Sequence, residues 1–365
     1  MGGFPPAFFI GENMEYLKEI VTPLLQWFQI NQRELPWRKT KEPYPIWLSE
    51  IMLQQTRVEA VKPYYERFLR TLPTIKDLAN ADEETILKLW EGLGYYSRVR
   101  NMQKAALQIM ENHQGIFPSN HTDILKLKGI GPYTAGAIAS IAFDQPVPAV
   151  DGNVLRVMSR ITADASDISL AATKKVWEDR IREIIPSYAP GNFNQALMEL
   201  GATVCLPNGM PHCDVCPVRK YCEAYRRNVV QQYPVKAEKK ARTAVYLNVL
   251  FCVSGSRIAI RKRKKEGVLF GLWELPNAEK EMNLPEFLQE IGITEGEITS
   301  MKSQKHIFTH IEWYMDCYYI HIKEKIGEEL HWVTVSEIEQ SYALPSAFRK
   351  IWQEGLKLKT EKEKL

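Results

Sequence analysis

The sequence lacks the features that mark membrane, secreted and repeat proteins. No apolar run approaches the roughly 20 residues that a membrane-spanning helix needs, and the start of the chain has no signal-peptide layout. No segment repeats with a period of about 20–50 residues, so a solenoid or a propeller is excluded. We therefore expect a globular, intracellular protein of the cytoplasm.

The sequence also lacks a large net charge, which is only +3 at pH 7. So small an excess indicates no particular partner, and the location of the charges has to decide. Basic residues are concentrated in 219–242 and in the run 261–265. Such runs attract polyanions, but on charge alone we favour a solvated linker and a charged loop.

Apolar periodicity divides the chain into a helical part and a mixed part. The 365 residues are enough for two domains. Apolar residues recur at helical spacing in 17–28, 99–110 and 154–161, and prolines separate short helices. Residues 8–225 are therefore predicted to form a mostly α-helical domain. Residues 226–243 are polar and basic without periodicity, which predicts a linker.

The C-terminal part has a strand pattern. Segments 245–253, 258–260 and 317–322 are rich in β-branched and aromatic residues, and a short helix is predicted at 284–291. These elements predict a separate α+β domain over 244–357. The charged residues 358–365 are predicted to form a frayed tail.

A glycine-rich turn lies in the middle of the helical part. Residues 127–135 contain Gly129, Gly131 and Pro132 between two predicted helices, so backbone N–H groups are exposed at a helix start, where a phosphate can bind. Asp151 follows about one helix and one turn later. The pattern predicts a protein that binds a nucleic-acid backbone and acts on one sugar.

Six cysteines are present, and four lie within eighteen residues: Cys205, Cys213, Cys216 and Cys222. Their spacing fits a tetrahedral zinc ion or an iron–sulfur cluster, and it does not choose between them. Disulfides are the alternative, but nothing indicates secretion. The position of the four in a loop after the helical domain indicates a structural role. Cys252 and Cys317, in predicted strands, are expected to be unreactive core thiols.

The turn at Gly129 and Gly131, the downstream Asp151 and the cysteine loop resemble, in this order, the helix-hairpin-helix DNA glycosylases that carry a 4Fe–4S cluster. This resemblance covers residues 14–225. It implies that the two glycines contact the DNA backbone and that the four clustered cysteines hold a structural, DNA-binding cluster. The loop between Cys205 and Cys213 is one residue longer than is usual in the family.

Further residues are similar to one branch, the MutY-type adenine glycosylases. The endonuclease III branch carries a strand-cutting lysine where this chain has Tyr133. Residues 50–56 and 92–98 resemble the MutY type instead. The family appends a Nudix-like domain, which residues 271–276 and the loop 308–310 resemble, so the likeness extends over nearly the whole chain.

Two carboxylates are predicted to carry the chemistry, in parallel with glycoside hydrolysis. Glu50 lies in an apolar stretch, so desolvation is expected to raise its pKa and keep a proton available. The resemblance implies that Glu50 protonates adenine N7. Asp151 begins a predicted helix, whose N-terminus favours the charged form. It is implied to stabilise the sugar cation or to form a transient adduct, with Asn153 and Tyr133 positioning it and the water. A solvent-facing glutamate and a plain helix cap are the alternatives.

Adenine has to leave the base stack to be reached, so other residues must fill the gap. The resemblance implies that the residues contacting this gap and the opposite lesion are Leu53, Gln55, Thr56, Tyr95, Phe308, Thr309 and His310. The residues implied to line the adenine pocket are Trp37, Arg38 and Gln195. Thr309 stands where the family has serine, and the hydroxyl is retained. A core aromatic, a loop glutamine and a buried tryptophan with polar neighbours are the structural alternatives for Tyr95, Gln55 and the pocket.

The Nudix-like domain lacks residues that a Nudix pyrophosphatase uses to hold metal. The corresponding helix is 285–292, where Pro285 and Gln289 replace residues that the hydrolase needs. These replacements disfavour hydrolysis, and the resemblance implies that this domain recognises 8-oxoguanine in the duplex. We expect no nucleotide cofactor.

The resemblance implies a multi-domain adenine DNA glycosylase that excises adenine opposite 8-oxoguanine or guanine in double-stranded DNA. It is expected to act as a monomer at the nucleoid of a bacterial type of cell. Three alternatives are a bifunctional pyrimidine glycosylase and lyase, a non-catalytic DNA-binding module with a zinc site, and a nucleotide pyrophosphatase. Tyr133 disfavours the first, bound iron would exclude the second, and the missing carboxylates disfavour the third.

Overall fold

The structure is a computed structural model that describes residues 15–238, 241–264, 266–323 and 329–364. Residues 8–14 of the predicted helical domain, two lysines of the predicted linker, Lys265 and the last residue of the predicted tail lie outside this range. The chain forms two compact units, one of residues up to 80 together with 101–238, and one of 81–100 together with 239–365. Residues 81–100, expected within the helical domain, thus group with the C-terminal residues, because several of their side chains hydrogen-bond there.

The first 226 residues are helical where they are described. Their helices are α1 (Glu15–Lys18), α2 (Val21–Asn31), α3 (Pro43–Met52), α4 (Val58–Thr71), α5 (Ile75–Asn80), α6 (Glu83–Leu89), α7 (Ser97–Asn112), α8 (His121–Ile124), α9 (Pro132–Phe143), α10 (Gly152–Thr162), α11 (Ala171–Ile184), α12 (Pro190–Thr203) and α13 (Glu223–Arg226). Helix α6 and the start of α7 belong to the second unit. The apolar stripe predicted as one helix over 17–28 is interrupted by a turn between α1 and α2. No helix in the described ranges has the length and apolar character needed to cross a bilayer.

The main core of the first unit lies among α2, α10, α11 and α12. Its large buried side chains are Leu24, Phe28, Trp177, Phe193 and Leu197. Each helix contributes the apolar residues of one face, so burial of these stripes holds the helices together.

The extended segment before α10 is fixed by close packing. A Cβ on Gly136 in α9 would lie 2.0 Å from the carbonyl oxygen of Pro148, so only glycine allows this approach. The Asn194 amide accepts from the Ala149 N–H at 3.1 Å and donates to the Val147 carbonyl at 2.9 Å. These contacts fix the backbone that leads directly into Asp151.

The second unit is built on a mixed sheet. Its strands are β1 (Thr243–Ser254), β2 (Arg257–Lys262), β3 (Trp273–Glu274), β4 (Asn277–Glu279), β5 (Glu297–Ile307), β6 (Ile311–His321) and β7 (His331–Val333), and its C-terminal helices are α14 (Leu284–Glu290), α15 (Val335–Ser341) and α16 (Arg349–Lys362). The strand order is β3-β2-β1-β6-β5, with β4 beside β1 and β7 beside β2. Strand β1 runs parallel to β6 and antiparallel to β2. The predicted α+β Nudix-like fold is confirmed.

Alternating residues of β1 face two different sets of helices. Phe251 packs against Trp352 of α16, with ring centroids 5.4 Å apart, whereas Leu250 and Cys252 join a cluster with Phe287 of α14. The period of two along a strand explains this division. The prediction of a frayed tail is wrong for 358–362, because α16 continues to Lys362 and its apolar face packs on the sheet.

Candidate active site

A cleft of about 590 Å³ in the first unit brings together residues from distant parts of the sequence. The predicted site residues that line it are Trp37, Arg38, Glu50, Leu53, Gln55, Thr56, Gly131, Tyr133, Asp151, Asn153 and Gln195. Gly129 is not among its lining residues. The cleft therefore contains both carboxylates and all three residues predicted for a base pocket.

Glu50 is a buried acid in the wall of this cleft. It lies in α3, where every residue from Ile46 to Met52 is buried, and it is only 7% exposed. Burial raises its pKa to about 7, an effect that the nearby Asp151 increases and that the Tyr133 hydrogen bond and Arg38 oppose. A carboxyl with this pKa can deliver a proton near neutral pH.

Tyr133 is hydrogen-bonded to this acid. Its hydroxyl donates to Glu50 Oε2 at 2.6 Å and also lies 3.3 Å from the Met198 sulfur. Burial and the neighbouring carboxylates raise the pKa of Tyr133 well above its ordinary value, so the phenol keeps its proton. Tyr133 is the second residue of α9, directly after the glycine turn. Its hydrogen bond orients the Glu50 carboxyl.

Asp151 caps the N-terminus of α10 and faces the same cleft. Its Oδ1 accepts from the Val154 N–H at 2.8 Å and its Oδ2 from the Asn153 amide at 2.7 Å. The predicted helix start is thus correct. Burial nevertheless raises the pKa of Asp151, against these hydrogen bonds and against Arg156. Desolvation therefore opposes the stabilisation of the charged form that we expected from the helix N-terminus.

Arg156 supports the capping network from behind. Its Nη2 donates to Asn153 Oδ1 at 2.9 Å and to the Gly201 carbonyl at 2.8 Å, and its Nε donates to the Cys205 carbonyl at 2.9 Å. The side chain of Asn153 is thereby held so that its amide points at Asp151. Arg156 was not singled out by the sequence, because an arginine within a helix carries no distinctive pattern.

A second buried carboxylate, Glu199, was also missed. It accepts from Arg33 Nε at 2.7 Å and from Arg38 Nη2 at 2.8 Å, and these partners lower its pKa to about 2. Arg38, which we expected in the pocket, is thus held by Glu199 at the cleft wall. A glutamate one turn after Gln195 was the available signal, but its partners lie more than 160 residues away.

The glycine turn has the geometry that the sequence predicted. Gly129 has φ +78°, and a Cβ there would lie 2.6 Å from Asn101 Cβ, so a side chain is excluded twice over. Gly131 is the N-cap of α9, with open space where a Cβ would be. Its helix start has no side-chain cap, and backbone N–H groups at a helix start of this kind can bind an anion.

The four clustered cysteines line one common pocket beside α10 and α12. Arg160 Nη1 donates to Cys205 Sγ at 3.2 Å, and the Cys222 thiol donates to the Arg160 carbonyl at 3.3 Å. Burial, together with repulsion from the other three thiols, raises the pKa of Cys216 to about 12. Thiols so close together and so desolvated require a cationic partner to ionise together.

The four thiols share one pocket without forming a ready-made site for a single ion in the part of the chain that the structure describes. Within the described residues, no group of three or more His, Cys, Asp or Glu side chains is placed to hold one metal ion. Four cysteine side chains around one pocket supply the ligand number of a zinc ion or of an iron–sulfur cluster. All six cysteines are free thiols, so the disulfide alternative is not supported.

The remaining predicted residues lie in the second unit. The loop 308–310 is the tip of the hairpin between β5 and β6, where Phe308 packs against Trp313 with ring centroids 4.8 Å apart. The hydroxyls of Tyr95 and Thr309 lie 2.5 Å apart. Tyr95 is 46% exposed, which contradicts the core-aromatic alternative. The His310 carbonyl accepts from the N–H of Thr243, the first residue of β1.

Comparison with known proteins covers both units. A family model described as "HhH-GPD superfamily base excision DNA repair protein" matches residues 48–186, and a "NUDIX domain" model matches 248–354. The adenine DNA glycosylase of Mus musculus is 33% identical over 393 residues, which cover 91% of this chain and 73% of that protein. The adenine DNA glycosylase of Arabidopsis thaliana is 39% identical over 297 residues, which cover 70% of this chain but 46% of that longer protein. A thermostable thymine-DNA glycosylase structure matches 59% of this chain and 100% of its own, with 28% identity and a TM-score of 0.54.

Proposed function

The chain belongs to the adenine DNA glycosylase family, and from this premise we propose that it excises adenine from duplex DNA where the opposite base is 8-oxoguanine or guanine. The observation that carries the proposal is the pairing, in one cleft, of a buried acid of raised pKa, Glu50, with a capping carboxylate, Asp151. As a glycosylase, the enzyme initiates base excision repair.

The two carboxylates take different parts in bond cleavage. Glu50, oriented by Tyr133, delivers its proton to adenine N7, so that the base leaves as a neutral species when the N9–C1′ bond breaks. Asp151 faces the sugar and stabilises the cation that develops at C1′. Water then adds at C1′, with Asn153 holding Asp151 in place.

The same proposal assigns the protein residues that contact the flipped adenine and those that fill the gap it leaves. Trp37, Arg38 and Gln195 line the pocket for adenine. Gln55 has φ +58°, an unusual conformation for a residue with a side chain, as expected of a constrained tip. With Leu53 and Thr56 beside it, Gln55 fills the gap in the stack. Gly129 and Gly131 contact the DNA backbone.

The opposite base is assigned to residues of the second unit. Tyr95, Phe308, Thr309 and His310 present an aromatic and hydroxyl surface suited to stacking on a purine and hydrogen-bonding its edge. We assign no hydrolytic step to the Nudix-like domain, because Pro285 and Gln289 replace residues that a Nudix hydrolase uses. We assign to the protein a monomeric, intracellular mode of action on double-stranded DNA.

The test is excision at enzyme excess from duplexes with 8-oxoguanine, guanine or cytosine opposite adenine, followed by alkali to cut abasic sites. We expect cleavage at adenine opposite 8-oxoguanine and guanine, and little opposite cytosine. Absence of cleavage at adenine in all duplexes would contradict the family function, whereas equal rates in all three would contradict the lesion preference alone.

A strand-cutting lyase is the competing function within the superfamily. Tyr133 stands where the lyase lysine would be, but Lys174 also lines the cleft. Borohydride trapping on an adenine:8-oxoguanine duplex is expected to give little covalent enzyme–DNA product. The Lys174→Ala variant should give none. Strong trapping that persists in Lys174→Ala would favour the lyase.

We also propose that Cys205, Cys213, Cys216 and Cys222 hold a 4Fe–4S cluster that stabilises the loop 205–222 for DNA binding. When bound, the cluster supplies positive charge to the four thiolates and a covalent link across the loop. The residues themselves fit, since the four thiols face one pocket.

Replacing Cys216 by serine is expected to lower bound iron and the midpoint of thermal unfolding, because one of the four thiolate ligands is lost. Iron per chain, visible absorption and thermal unfolding measure this. Cys317→Ser is the matched control, a buried thiol in β6 whose loss should leave the iron content unchanged. A colourless wild-type preparation with stoichiometric zinc would contradict the cluster.

A further inference from the structure

Lys88 links the segment 81–100 to the C-terminal residues of its unit, and all three of its ammonium protons have acceptors. Its ammonium group lies 2.7 Å from Glu91 Oε2, 2.9 Å from the Ile338 carbonyl and 3.1 Å from the Tyr342 carbonyl. An ammonium has three protons, and each therefore has an acceptor. The two carbonyls belong to the C-terminal end of α15, which attracts a cation.

This arrangement differs from an ordinary surface ion pair. The side chains of Lys88 and Glu91 are only 20% and 22% exposed, whereas exposed pairs at this spacing contribute little. The second carboxylate oxygen of Glu91 accepts from the Leu344 N–H at 2.8 Å. The pair thus fixes the end of α6 to the residues on both sides of the α15 C-terminus.

Arg100 makes a similar attachment at the other end of the segment. Its Nη1 donates to the Phe270 carbonyl at 2.7 Å and its Nη2 to the Gly271 carbonyl at 3.2 Å, while its Nε donates to Glu83 Oε1 at 2.6 Å. The guanidinium plane therefore holds the start of α7 against the loop before β3. A lysine could not bind two adjacent carbonyls in this planar way.

Between the two attachments lies a tight loop, which local hydrogen bonds such as that from Trp90 Nε1 to the Gly94 carbonyl, 3.1 Å long, also hold. Gly92 and Gly94 have φ +101° and +72°, and Tyr95 has φ +49°, which is costly for a residue with a Cβ. Such a conformation persists only where the surroundings hold it. The result is that the Tyr95 hydroxyl lies 2.5 Å from that of Thr309, at the tip of the β5–β6 hairpin.

We propose that Lys88 and Arg100 are positioning residues for recognition of the base opposite adenine. By fixing both ends of the segment 81–100, they hold Tyr95 against Thr309, so that the aromatic ring and the hydroxyl pair meet the opposite base as one preformed surface. Preorganisation of this kind increases discrimination without touching the chemistry. The inference rests on the proposed preference for 8-oxoguanine.

The test compares single-turnover excision of adenine opposite 8-oxoguanine and opposite guanine, using the full-length protein. Lys88→Met and Arg100→Met are each expected to lower the ratio of these rates by about 10-fold, the size of one misplaced hydrogen bond to a discriminating group. The rate opposite guanine should change by less than about 2-fold, since the cleft of the first unit is unaltered.

A coupling measurement separates positioning from general destabilisation. Thr309→Val is expected to lower the ratio by a similar factor, and the double variant Lys88→Met with Thr309→Val should show little further loss, because both act on one surface. Lys62→Met is the matched control: Lys62 pairs with Glu59 at the same three-residue spacing, 2.8 Å apart, and should keep the wild-type ratio.

Three results would overturn the inference: an unchanged ratio in both single variants, a proportional fall of both rates, or additive effects in the double variant. A wild-type protein that excises adenine at equal rates from both duplexes would instead overturn the proposed lesion preference, and the inference with it. Thermal unfolding of each variant identifies any that fails to fold, in which case Arg100→Met and Lys88→Met serve as substitutes for one another.

Discussion

Replacing Glu50 by glutamine is expected to abolish adenine excision while duplex binding persists. The amide cannot deliver a proton to N7, and a positioned general acid contributes about 10²–10⁴-fold, so a loss of at least about 10²-fold is expected. Glutamine retains an oxygen that can accept from the Tyr133 hydroxyl, so the cleft geometry should survive. Single-turnover excision and duplex affinity measure the two effects separately.

The same substitution is expected to change stability in a pH-dependent way. Because burial raises the pKa of Glu50 from 4.5 to about 7, the folded protein binds more protons than the unfolded chain between these values. Wild-type stability contributed by this group therefore falls as pH rises through that window, by about 2 kcal/mol between pH 5 and 8. Glutamine does not titrate, so the stability of the variant relative to the wild type should increase as pH rises.

Activity should follow the same proton. The acid form of Glu50 is the active one, so the wild-type excision rate is expected to fall as pH rises above about 7. Glu42→Gln is the control: Glu42 precedes the same helix, is exposed, and makes no side-chain cap. An excision rate in Glu50→Gln within about 10-fold of wild type would contradict the role of Glu50 as the acid.

Local sequence patterns predicted those parts of the site that depend on near neighbours. The apolar residues around Glu50 predict its burial, since they lie on one buried helix. Asp151 before Gly152 and Asn153 predicts a helix cap, which depends only on the next three residues. The β-branched and aromatic residues of 245–253 likewise predict a strand, which forms most of β1.

Features that depend on residues distant in sequence could not be predicted. The partners of Glu199 lie more than 160 residues away, and no periodicity links them. The grouping of 81–100 with the C-terminal residues rests on contacts such as Lys88 with the end of α15, across about 250 residues. The sequence placed residues 81–100 in the helical domain only because they were predicted to be helical. A local pattern predicts the type of element but not the elements against which it packs.

Replacing Asp151 by asparagine is expected to reduce excision by about 10³-fold or more, because the charge opposite the developing sugar cation is lost. Folding should persist, since asparagine caps helices as well as aspartate does. One hydrogen bond is lost, because the two donors, the Val154 N–H and the Asn153 amide, then share a single oxygen. Removal of a buried charge offsets this loss.

Asp82, the N-cap of α6, is the matched comparison for this charge. Its Oδ1 accepts from the Thr85 N–H at 2.8 Å, as Asp151 does from Val154, but hydrogen bonds lower the pKa of the exposed Asp82 whereas burial raises that of Asp151. The stability that Asp82 contributes is present at neutral pH and lost as pH falls, so Asp82→Asn should cost stability mainly at neutral pH.

Asp151→Asn should show the opposite pH dependence. Its stability relative to the wild type should increase as pH rises, because burial makes ionisation of the wild-type carboxyl unfavourable. Denaturant unfolding at several pH values measures both variants. Excision within about 10-fold of wild type in Asp151→Asn would contradict its role at the sugar. A pH dependence like that of Asp82 would show that hydrogen bonds, and not burial, dominate the pKa of Asp151 in the folded protein.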